Sequence, residues 1–356
     1  NELTALTSVS AASATGNVDF VELLDAATLT GGAGDDSVTL GAAAKYTVDM
    51  GAGADEVTVT ASLAVGATVS GGADTDTLII ADSAVVDTAL EADKFSSFEV
   101  LKASGLGAAE SYDLSKFASV TKVVAAAVSN ASYDVTFADM NAAQASNVHV
   151  VGDVAGFVKV DLKTDTGTAD TATITLGDGV KTNEAFDIGE GITFDGIETL
   201  NLVALPGATV TAAASKVATI ASFTSDVGTA INLTGTEFDL SDIATTKAVT
   251  IDGSALTEGL TVAGSAKAAS IVKGSDLVDA MTIGAAGSTY HGNAGADVFS
   301  GLPSAIMHTS ATSYTTIVGG LGDDTLSFDY AGLTSLSDID HLLYRNEQSA
   351  HKSGGE

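Results

Sequence analysis

Residues 31–57 read GGAGDDSVTLGAAAKYTVDMGAGADEV, and residues 71–78 read GGADTDTL. Each copy sets small residues, mostly glycine, ahead of an aspartate, with a β-branched or aliphatic residue two positions on. The pairs are Asp36 and Val38, Asp55 and Val57, and Asp76 and Leu78, and the acids lie 19 and 21 residues apart. The pattern follows the nonapeptide G-G-x-G-x-D-x-U-x of a parallel β-roll, in which the sixth residue is the acid and the eighth points inward. Two nonapeptides make one coil of roughly 18 residues, so these loops recur once per coil and stack along a single edge. The opposite edge carries ion-free turns, near residues 41–45 and 65–67.

A second cluster lies towards the end. Residues 292–299 read GNAGADVF, with Asp297 and Phe299 in phase, and residues 319–326 read GGLGDDTL, with Asp324 and Leu326. Residues 274–281, GSDLVDAM, form a degraded copy with Asp279 in the acid place. Asp279 to Asp297 is 18 residues, one coil, whereas Asp297 to Asp324 is 27, which requires an excursion supplied by residues 302–316. A single Gly-Asp loop is an ordinary turn; repeated copies with acid and apolar residue in phase are not.

The residue types suit a hard cation. Calcium takes six to eight oxygen ligands in a flexible cage. Backbone carbonyls can supply most of them if the chain bends sharply, and glycine allows positive φ at little steric cost. Stacked strands lie about 4.8 Å apart, so aspartates on successive loops face one another. Two like charges ~5 Å apart repel by ~3 kcal/mol at an effective dielectric of ~20, and an ion between them turns that repulsion into a crosslink. Asp35 and Asp323 hold the variable fifth position and are expected to face solvent.

Composition suits a calcium-rich exterior. Of 356 residues, 46 are acidic and 14 basic, a net charge of −32. Such a surface disfavours nucleic acid, whose phosphates need Lys and Arg, and anionic membranes. Cysteine is absent, which excludes disulfides, zinc-thiolate sites and a thiol nucleophile. No apolar run reaches the ~18 residues of a membrane-spanning helix. There is no H-E-x-x-H, no G-x-S-x-G and no phosphate loop; the five histidines, His149, His291, His308, His341 and His351, are scattered. These absences point away from an enzyme. Asn130-Ala-Ser and Asn232-Leu-Thr match the glycosylation pattern.

Short Val-, Ile- and Thr-rich runs punctuated by Gly, Asp, Asn and Ser recur along the chain, with only two prolines. They predict strands and an all-β solenoid, with residues 94–114 the place for a short helix. The expected fold is a right-handed parallel β-roll or β-helix. Its divisions are a calcium-binding roll over 1–90, a calcium-poor solenoid over 91–270, a second roll over 271–345 and a frayed tail over 346–356. Residues 167–176, GTADTATITL, align with residues 71–80 so that Ala172 stands in the place of Asp76, and the solenoid there is expected to run without metal. A second repeat joins FSSFEVL (95–101), FDGIETL (194–200), VDFVELL (18–24) and LSDIDHL (336–342). Its acids, Glu22, Glu99, Glu198 and Asp340, read as turn or strand-end positions facing solvent.

The calcium loops resemble the RTX repeats of proteins exported by Gram-negative type I secretion. The longer frame of GGAGDDSVTL, MGAGADEVTV, GGADTDTLII and the F-x-x-F-E-x-L element is similar to the C-terminal region of Caulobacter-type surface-layer (S-layer) proteins. In such families loop carbonyls and the sixth-position aspartate bind Ca2+. The resemblance therefore implies ligands at Gly31, Gly32, Ala33, Gly34 and Asp36; at Met50, Gly51, Ala52, Gly53 and Asp55; and at Gly71, Gly72, Asp74 and Asp76. In the second cluster it implies Asp279; Gly292, Asn293, Gly295 and Asp297; and Gly319, Gly320, Gly322 and Asp324. Met50, Asn293 and Asp74 stand where the pattern has glycine, and Asp74 is a further carboxylate beside the ion. The implied function is structural: a secreted, extracellular, cell-surface protein that self-assembles into a lattice and meets surface polysaccharide, without nucleic acid or membrane insertion. The competing readings are the non-catalytic RTX region of a large adhesin, toxin or hydrolase. The chain opens on Asn1 and closes on HKSGGE, which is unlike an export signal, so flanking parts are expected at both ends.

Overall fold

The computed structural model describes residues 7–23, 27–41, 44–164, 166–167, 169–177, 184–185, 191–210, 229–240, 248–263, 269–284, 287–301, 315–327 and 342–345. The inferred excursion over 302–316 and the tail fall almost wholly outside them. Two compact units divide the chain, Asn1–Thr164 and Asp165–Glu356. Both are built from short parallel strands stacked coil upon coil, an all-β solenoid with almost no helix, as the repeat spacing predicts.

In the first unit one sheet stacks Ser8–Ser10, Thr28–Thr30, Thr47–Asp49, Thr68–Ser70 and Phe95–Ser96. A second sheet stacks Asp19–Leu23, Ser37–Leu40, Glu56–Val59, Thr77–Ile80, Val100–Ala103, Lys122–Ala125 and Val148–Val150. The glycine loops turn the chain from the first sheet to the second. Alternation fixes what is buried: Val38, Val57, Leu78, Leu101, Val123 and Val148 lie one above another in exact-neighbour register and are all inside. Each aliphatic side chain so buried contributes roughly 1.5–3 kcal/mol. A one-residue slip would turn the whole column to solvent, so the apolar columns set the register of the loops beside them.

The second unit repeats this plan. Ala172, Leu200, Ile231, Ile251, Val272, Tyr290 and Ile317 form its buried column. A neighbouring row carries Val262, Met281, Phe299 and Leu326 in register. Outward positions hold a polar row in which Asn232 donates to Asn201 at 2.9 Å and Asn201 to Thr173 at 3.3 Å. The amide of the second glycosylation pattern is thus engaged between coils.

The helix expected within 94–114 is not there. Those residues form the strands Phe95–Ser96, Val100–Ala103 and Glu110–Asp113. The α-helical turns lie at Ala89–Ala92, where Thr88 caps the N–H of Glu91, and at Ala142–Ala145, where Asn141 and Gln144 form a capping box. Capping side chains placed them, and the in-register apolar column overrode helix propensity in 95–103. The turn expected near residues 65–67 is present, with Gly66 at φ +81° and the N–H of Ala67 bonded to the carbonyl of Ala64.

Candidate metal centre

The acids of the glycine loops are drawn into two ladders. In the first, Asp55 Oδ1 accepts the backbone N–H of Asp36 at 2.7 Å, and Asp76 Oδ1 accepts that of Asp55 at 2.9 Å. In the second, Asp297 Oδ1 accepts the N–H of Asp279 at 2.9 Å, and Asp324 Oδ1 that of Asp297 at 3.1 Å. Each carboxylate thus reaches back one coil. Asp36, Asp55, Asp76, Asp279 and Asp297 are buried.

The second carboxylate oxygen separates two kinds of loop. At Asp55, Asp76, Asp297 and Asp324, Oδ2 is buried and has no hydrogen-bond partner. At Asp36 and Asp279, the first acid of each ladder, Oδ2 accepts a backbone N–H from its own loop, from Gly32 at 2.7 Å and Ser275 at 2.8 Å. Their Oδ1 atoms accept from Val18 and Leu260 on the preceding coil. The backbone accounts for the division. The four loops with a partnerless oxygen hold their second and fourth residues at positive φ: Gly51 and Gly53, Gly72 and Asp74, Asn293 and Gly295, Gly320 and Gly322. Neither closed loop has a residue in that region. Asn and Asp are the side-chain-bearing residues that tolerate it best, which explains the departures at Asn293 and Asp74. Met50 stands at a first position, where φ is not positive, and its side chain is fully buried.

Oxygen crowds the first position of the three open loops that begin with glycine. A Cβ on Gly71 would lie 2.1 Å from the carbonyl oxygen of Ser97 and 2.6 Å from Asp76 Oδ2. On Gly292 it would lie 2.0 Å from Asp297 Oδ2 and 2.3 Å from the carbonyl oxygen of Gly319; on Gly319, 2.2 Å from Asp324 Oδ2. Buried polar atoms without partners cost roughly 1–3 kcal/mol each, so four of them in equivalent places invite a ligand. Burial, joined by the like charges of neighbouring acids, pushes the carboxyls of Asp55, Asp76 and Asp297 up to about 6. Asp279 is raised as well, first by burial. Among the described residues no three His, Asp or Glu side chains converge. An ion would therefore meet at most two carboxylates and otherwise backbone oxygen. That donor set fits a hard, oxygen-seeking cation with variable coordination and not a soft one. Asp55, Asp76, Asp297 and Asp324, with the loop carbonyls, would hold it.

Asp35 is exposed, as expected, yet its Oδ1 accepts the N–H of Ala54 on the next coil at 2.9 Å. Asp74 is also exposed and accepts the N–H of Gly53 at 3.3 Å. These outer carboxylates brace the loop backbones from the solvent side.

Two acids read from sequence as solvent-facing are members of the arrangement instead. Glu99 is half-buried and accepts the N–H of Asp76 through Oε2 at 3.0 Å, in the way Asp76 serves Asp55. Glu198 is buried and accepts the N–H of Asp170 at 2.8 Å. The turn before each is short. Ser97 at φ +55° and Gly196 at φ +69° reverse the chain, and Phe98 and Ile197 beside them are buried. Glutamate, one methylene longer than aspartate, makes the reach from these shorter turns. The signal was present in the sequence as a glutamate after a Phe/Ile position in both copies. The equivalent side chain of Glu22, and Asp340 altogether, lie outside the described residues.

The two copies also reset the alignment of residues 167–176. Leu101 pairs with Leu78, and Leu200 with Ala172. Ala172 is therefore the counterpart of Leu78 in the buried column, and Asp170, not Ala172, occupies the place of Asp76. The shared run Ala-Asp-Thr misled the sequence alignment by two residues; strand register decides it.

Comparison of the chain with protein-family models and with curated proteins returns no match.

Proposed function

We propose that this chain is a calcium-dependent, non-catalytic structural protein of a bacterial cell surface, part of a self-assembling surface layer. The observation that carries the calcium reading is the recurrence of a buried, partnerless Oδ2 at Asp55, Asp76, Asp297 and Asp324, each inside a glycine loop. The surface-layer reading is supported by the similarity of the loops and the F-x-x-F-E-x-L frame to that group. With a net charge of −32, subunits repel until cations bridge their acidic faces, so the same ion serves folding and association, with surface polysaccharide as a further partner. Inside a cell, where free calcium is scarce, the buried carboxylates oppose folding. Outside, millimolar calcium meets sites of the 10⁻⁴–10⁻³ M class typical of extracellular modules, and binding drives folding.

Electron microscopy of the protein at high concentration in millimolar calcium tests this. Ordered sheets that dissolve in EGTA are the expected result. A calcium-binding chain that stays monomeric overturns the lattice and leaves the RTX region of an adhesin, toxin or hydrolase. A chain that folds equally well in EGTA and takes up no calcium overturns both.

A further inference from the structure

The 165–198 region carries no intact glycine loop, yet it contains the same unsatisfied group as the open loops. Asp170 Oδ2 is buried and has no hydrogen-bond partner. It is aimed at the backbone of Gly167, where a Cβ would lie 2.3 Å from it. The backbone N–H of Asp170 is taken by Glu198, itself only 6% exposed. Asp76 presents the same set in the first unit: a buried partnerless Oδ2, a glycine backbone facing it, and a glutamate one coil on that accepts its N–H. The likeness extends to the closing turn, where Gly196 and Ser97 both hold positive φ and the next residues, Ile197 and Phe98, are both buried.

We propose that Asp170, closed off by the turn that ends in Glu198, holds a further divalent cation, calcium by the chemistry of its oxygens, in the stretch whose sequence predicts a metal-free solenoid. The proposal rests on the calcium reading of the four open loops. A carboxylate oxygen shut away from water without a donor is costly. A hydrogen-bond donor could have satisfied it, as Gly32 and Ser275 satisfy Asp36 and Asp279; none among the described residues does so here. Glu198 serves as a positioning residue, fixing the Asp170 backbone so that Oδ2 stays turned inward.

The test counts bound calcium on the full chain by equilibrium dialysis, for wild type, Asp170→Asn and Asp76→Asn. Each variant is expected to bind one ion fewer than wild type, with circular dichroism at saturating calcium near that of wild type. If Asp76→Asn loses an ion and Asp170→Asn does not, the Asp170 site is refuted and the calcium reading stands. If wild type binds no calcium, or neither variant loses any, the calcium reading itself fails. Should Asp170→Asn not fold, terbium-soaked crystals of the wild-type chain decide. An anomalous peak at bonding distance, about 2.4 Å, from Asp170 Oδ2 supports the site. Peaks at the open loops alone overturn it.

Discussion

The backbone N–H of Asp55 is held by Oδ1 of Asp76 at 2.9 Å, while Oδ2 of the same carboxylate is shut inside the loop with nothing to bond. One aspartate thus performs two tasks with its two oxygens: the first ties a coil to its predecessor, and the second is offered to a ligand.

Asp55→Ala and Asp35→Ala separate the inner from the outer ladder. Removing Asp55 leaves the buried N–H of Asp36 without an acceptor, at a cost of about 1–3 kcal/mol. Removing the exposed Asp35 opens the N–H of Ala54 to water and costs under ~1 kcal/mol. Calcium titrations followed by circular dichroism should show a higher midpoint for Asp55→Ala. Equal midpoints for the two variants would refute the ligand assignment.

Gly72→Ala tests the loop backbone. Gly72 sits at φ +113°, and an added Cβ would lie 2.1 Å from the carbonyl oxygen of Gly51 on the preceding coil. Strain of this kind costs roughly 1–3 kcal/mol before the clash is counted. Gly107, with open space around it and no positive φ, is the control, where alanine should be neutral or stabilising by up to ~1 kcal/mol. Urea unfolding in saturating calcium measures both, and similar values for the pair would contradict the loop geometry.

Glu99→Gln and Glu99→Ala examine the closing turn. Glutamine keeps an oxygen for the N–H of Asp76 and should cost little. Alanine leaves that group unpaired and should cost about 1–2 kcal/mol. Thermal melts at fixed calcium rank the two, and a glutamine variant as unstable as alanine would show that charge, not the hydrogen bond, matters.

The ion-free chain should respond to acid in an unusual sense. Burial pushes Asp55, Asp76 and Asp297 from 3.8 up to about 6. A carboxyl whose folded pKa exceeds its unfolded value binds protons preferentially in the folded state. Its stabilisation is complete below about 4 and is lost as pH rises through about 6. In EGTA the protein should therefore melt at a higher temperature at pH 5 than at pH 7.5. Saturating calcium should flatten or reverse the difference, because the ion holds the carboxylates ionised. An EGTA-treated chain that gains stability from pH 5 to pH 7.5 would oppose this.

Much of the fold was legible because period and burial coincide. Val38, Val57 and Leu78 announce the buried column, and their distance from Asp36, Asp55 and Asp76 announces the loops. What was illegible depended on register or on conformation. Asp170 was hidden because a three-residue match outvoted strand alternation. Glu99 and Glu198 were hidden because a glutamate in a short turn and an aspartate in a long one do the same job only when their reach is compared in space. The difference between the Asp36 loop and the Asp55 loop lies in φ, and glycine permits both conformations.

Every inner carboxylate points towards the amino-terminal neighbour, so the fastening has a direction. A coil lacks its own clasp until the following one has packed against it. Folding from the amino-terminal end then resembles a ratchet in which each turn is secured by the next, and Glu99 is the last tooth of the first row.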